Sequence, residues 1–129
     1  MEQKLVVHKK DGSIHKGVTH DFDPDGERFH VLPAEGGGVP MRVAVNDAKA
    51  LFWVRDYIGN REFVARREFP EGETRRRAIV TFEDGEEIWG TVEDVDGCPN
   101  GFFLLPADRD DNNVRIFVVR SALRDVRMV

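Results

Sequence analysis

The chain has 129 residues, a length that suits one ordinary domain or two very small ones. Its residues are 40% hydrophobic and 33% charged, which is typical of a globular protein with enough apolar mass for a core. The formal net charge of −5 excludes a protein whose whole surface attracts nucleic acid, although local basic patches stay open.

The cysteine content and the hydropathy pattern bear on the compartment. Cys98 is the only cysteine, which excludes an intramolecular disulfide and indicates a reducing compartment. No apolar run approaches the roughly 20 residues of a membrane helix. The opening residues MEQKLVVHKKDG lack the apolar core of a signal peptide. We therefore expect a cytoplasmic protein without a membrane association.

The first part of the chain predicts five short strands. LVVHKKDGSIHKGVTHDF (5–22) has β-branched residues on both sides of an Asp-Gly pair, which is a strong hairpin signal. RFHVLPA (28–34) predicts a third strand, whose proline ends the pairing because it has no N–H. MRVAV (41–45) and KALFWV (49–54) predict the fourth and fifth. Gly17 lies inside a strand pattern and indicates a bend or a close backbone approach.

The stretch DFDPDGERF (21–29) between the second and third strands has alternating carboxylates, as many calcium-binding loops do. An EF-hand loop needs a bidentate carboxylate at its twelfth position, and that position is Leu32, inside a strand. Asp, Pro and Gly are also the usual residues of turns. We therefore interpret the stretch as a turn and predict no metal site.

A polar segment, DYIGNREFVARREFPEGETRRR (56–77), separates the two parts of the chain. Its piece NREFVARREF (60–69) is compatible with a short helix, and PEGE (70–73) predicts a turn. We place a first domain at residues 1–56, a linker at 57–75 and a second domain at 76–129.

The linker region also holds the candidate contact surface. Arginine binds phosphate bidentately, and interleaved aromatic rings can stack on bases. Neighbouring glutamates cancel much of the positive field, and a solvated mixed-charge face gives the same pattern. The candidate residues for contact with nucleic acid or a protein partner are Arg66, Arg67, Arg75, Arg76, Arg77, Phe63 and Phe69, with Arg61 as a further basic residue.

The second part of the chain repeats the first. KKDGSIHKG (9–17) aligns with FEDGEEIWG (82–90), and FHVLPAE (29–35) aligns with FFLLPAD (102–108). Later strands follow in VRIFVV (114–119) and RDVRMV (124–129). This pattern predicts an internal duplication. Because five short bent strands bury little as a flat sheet, we expect an all-β protein of two tandem five-stranded barrels that pack together.

Each copy resembles the Sm-like fold, in which an apolar strand is followed by Asp-Gly and then by a glycine five residues later. SH3-like barrels share the same strand lengths. FFLLPADRDDNNVRIFVV (102–119) also resembles a duplicated bacterial domain of unknown function. The Sm resemblance implies binding of single-stranded RNA through an Asp-x-aromatic-x-Asn element and an Arg-Gly pair. Neither copy keeps both elements, since Asn46-Asp47 and Arg120-Ser121 stand at the Arg-Gly positions.

No residue constellation predicts catalysis. All four histidines lie in the first copy without counterparts in the second, and no nucleophile motif surrounds Cys98. We expect a non-enzymatic binding module without cofactor or metal, most simply a protein-interaction or scaffolding protein of the bacterial cytoplasm. The alternative is an RNA-associated Sm-like protein that uses the linker arginines. Exposed strand edges leave a homo-oligomer open.

Overall fold

A computed structural model describes residues 3–36, 38–59 and 62–129. These residues form ten β-strands and two single-turn 3-10 helices, at Val45–Asp47 and Arg120–Ala122. The strands are β1 (Lys4–Lys9), β2 (Ile14–Val18), β3 (Arg28–Pro33), β4 (Met41–Ala44), β5 (Ala48–Val54), β6 (Arg76–Phe82), β7 (Glu87–Val92), β8 (Gly101–Pro106), β9 (Asn113–Val119) and β10 (Leu123–Met128). The predicted all-β class is confirmed.

All ten strands belong to one antiparallel order, β10-β6-β7-β8-β9-β5-β1-β2-β3-β4. The two halves have the same strand order. In the first half β1 lies between β5 and β2. In the second half the equivalent strand, β6, lies between β10 and β7. The seam between the halves is the pairing of β5 with β9, from Ala50 opposite Val118 to Val54 opposite Asn113.

The expected closure into two five-stranded barrels does not appear in the strand pairing. The sheet is open, with β10 at one end and β4 at the other. A strand has only two edges, and β5 uses one for β1 and the other for β9. The edge of β5 that would have closed the first barrel against β4 is therefore occupied by the second half of the chain.

Gly17 marks a close backbone approach, as the sequence predicts, and Gly90 at the aligned position of the second half marks another. A Cβ atom on Gly17 would lie 1.9 Å from the Leu32 carbonyl oxygen. A Cβ atom on Gly90 would lie 2.4 Å from the Leu105 carbonyl oxygen. Real Cβ atoms do not approach so closely, so both positions require glycine for the tight crossing of the second and third strands of each half.

Residues 60–69 are compatible with a short helix from the sequence, but their described part, 62–69, contains no helix. Asn60 and Arg61 lie outside the described residues. The backbone N–H of Arg66 donates 2.8 Å to the Asp108 carboxylate instead of to a carbonyl one helical turn earlier. Pro70 also prevents a helix from continuing. A tertiary hydrogen bond thus overrides a local preference.

The core consists of two clusters that share the seam strands. Leu51 and Trp53 of β5 pack with the first half of the sheet, together with Phe117 of β9. Phe52 of β5 packs with the second half, together with Ile116 of β9. Successive strand residues point to opposite faces, so β5 and β9 each contribute one face to each cluster. The two halves therefore share their cores through the seam.

Candidate binding surfaces

The linker is fastened to the second half of the sheet by Arg66. Its Nη2 lies 3.1 Å from Asp108 Oδ1 and 3.1 Å from Asp110 Oδ2, in addition to the backbone hydrogen bond to Asp108. Asp108 is only 5% exposed, whereas the Arg66 side chain is 58% exposed. Hydrogen bonds from Arg66 hold the pKa of Asp108 at about 2. We call this arrangement the linker clasp.

Three of the other predicted linker arginines, Arg67, Arg75 and Arg77, also have partners within the protein. Arg67 Nη1 lies 3.6 Å from Glu87, and Arg75 Nε donates 2.9 Å to Glu73. The hydrogen bonds from Arg75 lower the pKa of Glu73 to about 2. Arg77 donates 3.1 Å to the Glu73 carbonyl oxygen. Arg76 is exposed at the start of β6, and Arg61 lies outside the described residues.

The two predicted linker aromatics pack towards the second half. The Phe69 ring lies 5.5 Å from the Trp89 ring, measured between centroids, and the Arg77 guanidinium lies 5.6 Å from the Phe69 centroid. Phe63 lines a groove of about 430 Å³, which Trp89 and other residues of both halves also line. The structure thus gathers Phe63, Arg66 and Arg67 around one groove and packs Phe69 between Trp89 and Arg77. It does not bring Arg75 and Arg76 into that groove.

The alternating carboxylates at 21–25 form a turn. Asp23 Oδ1 accepts the Asp25 N–H at 2.9 Å, and the Asp23 carbonyl accepts the Gly26 N–H at 2.9 Å. Asp21 accepts the backbone N–H of His30 at 2.8 Å and contacts its ring at 2.7 Å. Across residues 3–36, 38–59 and 62–129, no group of three or more potential metal ligands converges.

This turn contacts the equivalent loop of the other half. Asn100 Nδ2 donates 2.9 Å to the Pro24 carbonyl and 2.7 Å to the Gly26 carbonyl. Cys98 lies in the same loop, where desolvation and the Asp25 carboxylate raise the pKa of its thiol. A raised pKa keeps the thiol protonated at neutral pH, which disfavours nucleophilic chemistry.

A second groove between the halves, of about 270 Å³, contains His8 and Lys49. Lys49 Nζ donates 2.7 Å to Asp84 and 2.8 Å to Glu86. The His8 ring packs against Phe52 with a centroid distance of 4.7 Å, and burial lowers its pKa. Lys49 is therefore engaged in ion pairs that join β5 to the β6–β7 hairpin.

Arg115 has a different environment from the linker arginines. It lies opposite Trp53 in the seam, with its guanidinium carbon 4.3 Å from the Trp53 centroid and 5.0 Å from the Phe103 centroid. Its Nε is buried and has no hydrogen-bond partner. Desolvation lowers the pKa of Arg115. We call Arg115, Trp53 and Phe103 the seam site.

The seam site opens into two depressions. One, of about 490 Å³, is lined by Arg115 and Phe103 with residues of β7, β8 and the loop that contains Cys98. The other, of about 380 Å³, is lined by Arg115 and Trp53 with residues around Phe22. The Phe22 ring lies 5.7 Å from Trp53 and 6.4 Å from Phe103, which extends the aromatic surface beneath the arginine.

The ends of the sheet are the remaining candidate surfaces. β4 and β10 each pair with a single neighbour, β3 and β6 respectively. The Val129 N–H donates to the Arg77 carbonyl, so alternation turns the N–H of Met128 to the free side. The Val45 N–H donates to the Glu27 carbonyl, which likewise turns the N–H of Arg42 outward.

A family model described as "Family of unknown function (DUF6982)" matches residues 1–129. The chain belongs to this family. Neither a curated protein nor a solved structure shows a significant match to it. The expected membership of a family of unknown function is confirmed. A function for this protein must therefore be argued from the geometry of its structure.

Sequence reasoning missed the seam site of this DUF6982 protein. One signal was available: in VRIFVV (114–119), Arg115 is the only charged residue of an otherwise apolar strand. The contacts of Arg115 with the two rings could not be predicted from the sequence, because Trp53 and Phe103 come from two other strands.

Among the described residues no helix is long and apolar enough to cross a membrane.

Proposed function

We propose that this DUF6982 protein is a non-enzymatic protein-interaction module of the bacterial cytoplasm that binds a partner at the free edges of its sheet. The supporting observation is the open strand order, which leaves one edge of β4 and one edge of β10 unpaired. Unpaired N–H and carbonyl groups of an edge strand can accept a strand of another protein by antiparallel or parallel addition.

The side chains of these edges favour selective pairing. β10 carries Arg124, Asp125 and Arg127, all exposed, and β4 carries exposed Arg42. Charges on an edge strand disfavour indiscriminate pairing and aggregation. A partner strand must therefore offer complementary charge as well as backbone groups, which gives the edge its specificity.

The equal strand order of the two halves supports a further part of the proposal. We infer that residues 1–56 and 76–129 derive from the duplication of one small Sm-like or SH3-like unit, joined by the linker at 57–75. The seam pairs β5 with β9, which are the fifth strand of one half and the fourth strand of the other. The end strands β10 and β4 are likewise the fifth strand of one half and the fourth strand of the other. They could pair between two copies of the chain as β5 and β9 pair within it, so a second copy is one candidate partner.

The RNA-associated alternative has weaker support. Arg66, Arg67 and Arg75 each contact a carboxylate of the protein. RNA phosphates would have to compete with these carboxylates, while exposed Arg76 is the linker arginine best placed to contact RNA. Phosphate binding would weaken steeply with salt, whereas strand pairing would not.

The test is a pull-down from a lysate of the source organism, with and without RNase, using the parent protein and two edge variants. Arg42→Pro and Met128→Pro each remove one outward N–H, and Arg42→Ala and Met128→Ala are the matched controls. We expect one defined protein, captured with and without RNase, to be lost with a proline variant and kept with its alanine control. Capture that requires RNA, or that neither proline variant alters, would contradict the proposal.

A further inference from the structure

We propose that the seam site, Arg115 with Trp53 and Phe103, binds a carboxylate carried on an apolar or aromatic body. This inference does not depend on the strand-edge proposal, because the seam lies in the middle of the sheet and the free edges lie at its ends. The ligand would be a small aromatic acid or the carboxylate end of a peptide with an aromatic residue.

Arg115 is a half-buried cation whose Nε lacks an acceptor. Among the described residues, no hydrogen bond or carboxylate partner of its side chain is found. Burying a polar atom without a partner costs free energy, and buried polar atoms are satisfied in the great majority of proteins. A carboxylate ligand would supply acceptors in the planar geometry that a guanidinium matches.

An aromatic surface lies beside the cation. The Arg115 guanidinium lies over the Trp53 and Phe103 rings, which are 5.9 Å apart between centroids. The adjoining depression of about 490 Å³ also has Phe102 and Leu105 in its wall. This volume is within the range of small-ligand sites, which are mostly apolar and contain few polar groups. The apolar body of the ligand would lie along this wall.

The charges of the same depression limit the ligand class. Arg75 also lines it but is bonded to Glu73, whereas Arg115 shares it with Glu93 and Asp94. Their carboxylates would repel a ligand with several negative charges, such as a nucleic acid strand, and the protein has a net charge of −5. A ligand with one negative group at Arg115 and an uncharged body avoids this repulsion.

The experiment compares two probes of nearly equal shape. Phenylacetate carries the carboxylate, and phenylacetamide replaces it with a neutral amide. Binding to the full chain is followed by calorimetry for the parent, for Arg115→Met and for Arg28→Met. Methionine keeps an apolar cover over the rings without the charge, and Arg28 is an exposed control arginine on β3.

We expect saturable binding of phenylacetate to the parent and to Arg28→Met, and a loss of at least about tenfold in affinity in Arg115→Met, because a charge-assisted pair is removed. Phenylacetamide should bind at least about tenfold more weakly than phenylacetate for the same reason. The melting temperature of Arg115→Met should stay close to that of the parent, which separates lost binding from lost folding.

A second arm identifies the source of the carboxylate. An acetylated tripeptide that ends in phenylalanine with a free carboxylate is compared with its C-terminal amide. Tighter binding of the acid peptide than of phenylacetate would support a protein segment as the ligand, and equal binding would support a small acid. The proposal is overturned if neither acid shows binding that depends on Arg115, or if acid and amide bind equally well.

Discussion

The linker clasp and the seam site hold their arginines in opposite ways. Arg66 lies at the surface, yet it bonds a carboxylate that is itself almost wholly buried. Arg115 lies against two aromatic rings, and its Nε has no acceptor. The clasp pairs its cation with carboxylates of the fold, whereas the seam leaves the Nε of its cation without an acceptor.

This difference shows that the local density of basic residues is a poor guide to available positive charge. Six arginines lie between residues 61 and 77, and the structure pairs Arg66, Arg67 and Arg75 of this set with carboxylates. The seam has a single arginine in an apolar strand, and no anionic partner of it is found in the described part of the chain. Pairing, which depends on distant residues, decides which cation can meet a ligand.

The largest effect on stability should come from a substitution in the apolar core at the seam. Phe52 is 7% exposed and contributes the β5 side of the cluster that joins the halves. Phe52→Ala should lower the free energy of unfolding by about 3–5 kcal/mol, measured by urea denaturation, because it leaves a cavity. Ile58→Ala, at a residue that is 80% exposed, should change it by less than about 0.5 kcal/mol. A small effect of Phe52→Ala would mean that the halves do not share a core.

Breaking the linker clasp should have the next largest effect. Asp108→Asn removes the charge that accepts hydrogen bonds from Arg66, and we expect a loss of about 1–3 kcal/mol in the free energy of unfolding. Trypsin should also cut faster after Arg66 and Arg67, because the linker is released. The matched control is Asp110→Asn, because Asp110 is an exposed carboxylate that also contacts Arg66. This variant should lower the free energy of unfolding by under about 1 kcal/mol. Equal effects of the two variants would show that the buried carboxylate has no special role.

The clasp also predicts a pH dependence. The pKa of Asp108 is lowered from 3.8 to about 2 in the folded protein. Its stabilising contribution is therefore fully present above the unfolded pKa and is lost as the pH falls from about 4 towards 2. Urea denaturation between pH 5 and pH 2, as an approximate range, should show a shallower loss for Asp108→Asn than for the parent. Parallel curves would contradict the assigned ion pair.

The smallest effect on stability should come from Arg115→Met. The variant loses contacts between the guanidinium and two rings, and it also removes a desolvated charge with an unsatisfied Nε. These effects oppose each other and are of similar size, so the free energy of unfolding should stay within about 1 kcal/mol of the parent. A large loss, measured by the same urea denaturation, would assign Arg115 a structural role.

The local part of the fold could be predicted from the sequence. MRVAV and KALFWV gave strands within a residue or so of β4 and β5, because alternation and turn residues are local signals. The pairing of β5 with β9 could not be predicted in the same way, because a strand sequence does not state which neighbour occupies each edge. For this reason the sequence suggested closed barrels.

The candidate sites show the same limit. The sequence at 60–69 is compatible with a helix, but in the structure the Arg66 N–H donates to Asp108, which lies 42 residues away. The sequence pointed to the linker arginines but could not show that their charge is paired. It could not show that Trp53 and Phe103 flank Arg115 either, since the three residues lie on different strands.

The most direct test of the contrast between clasp and seam is an NMR titration that follows the Nε–Hε signals of the arginines during addition of phenylacetate. The account predicts a saturable shift of the Arg115 signal and an unchanged Arg66 signal. Shifts of Arg66, Arg67 and Arg75 with a fixed Arg115 signal would contradict it, because the linker would then hold the available positive charge.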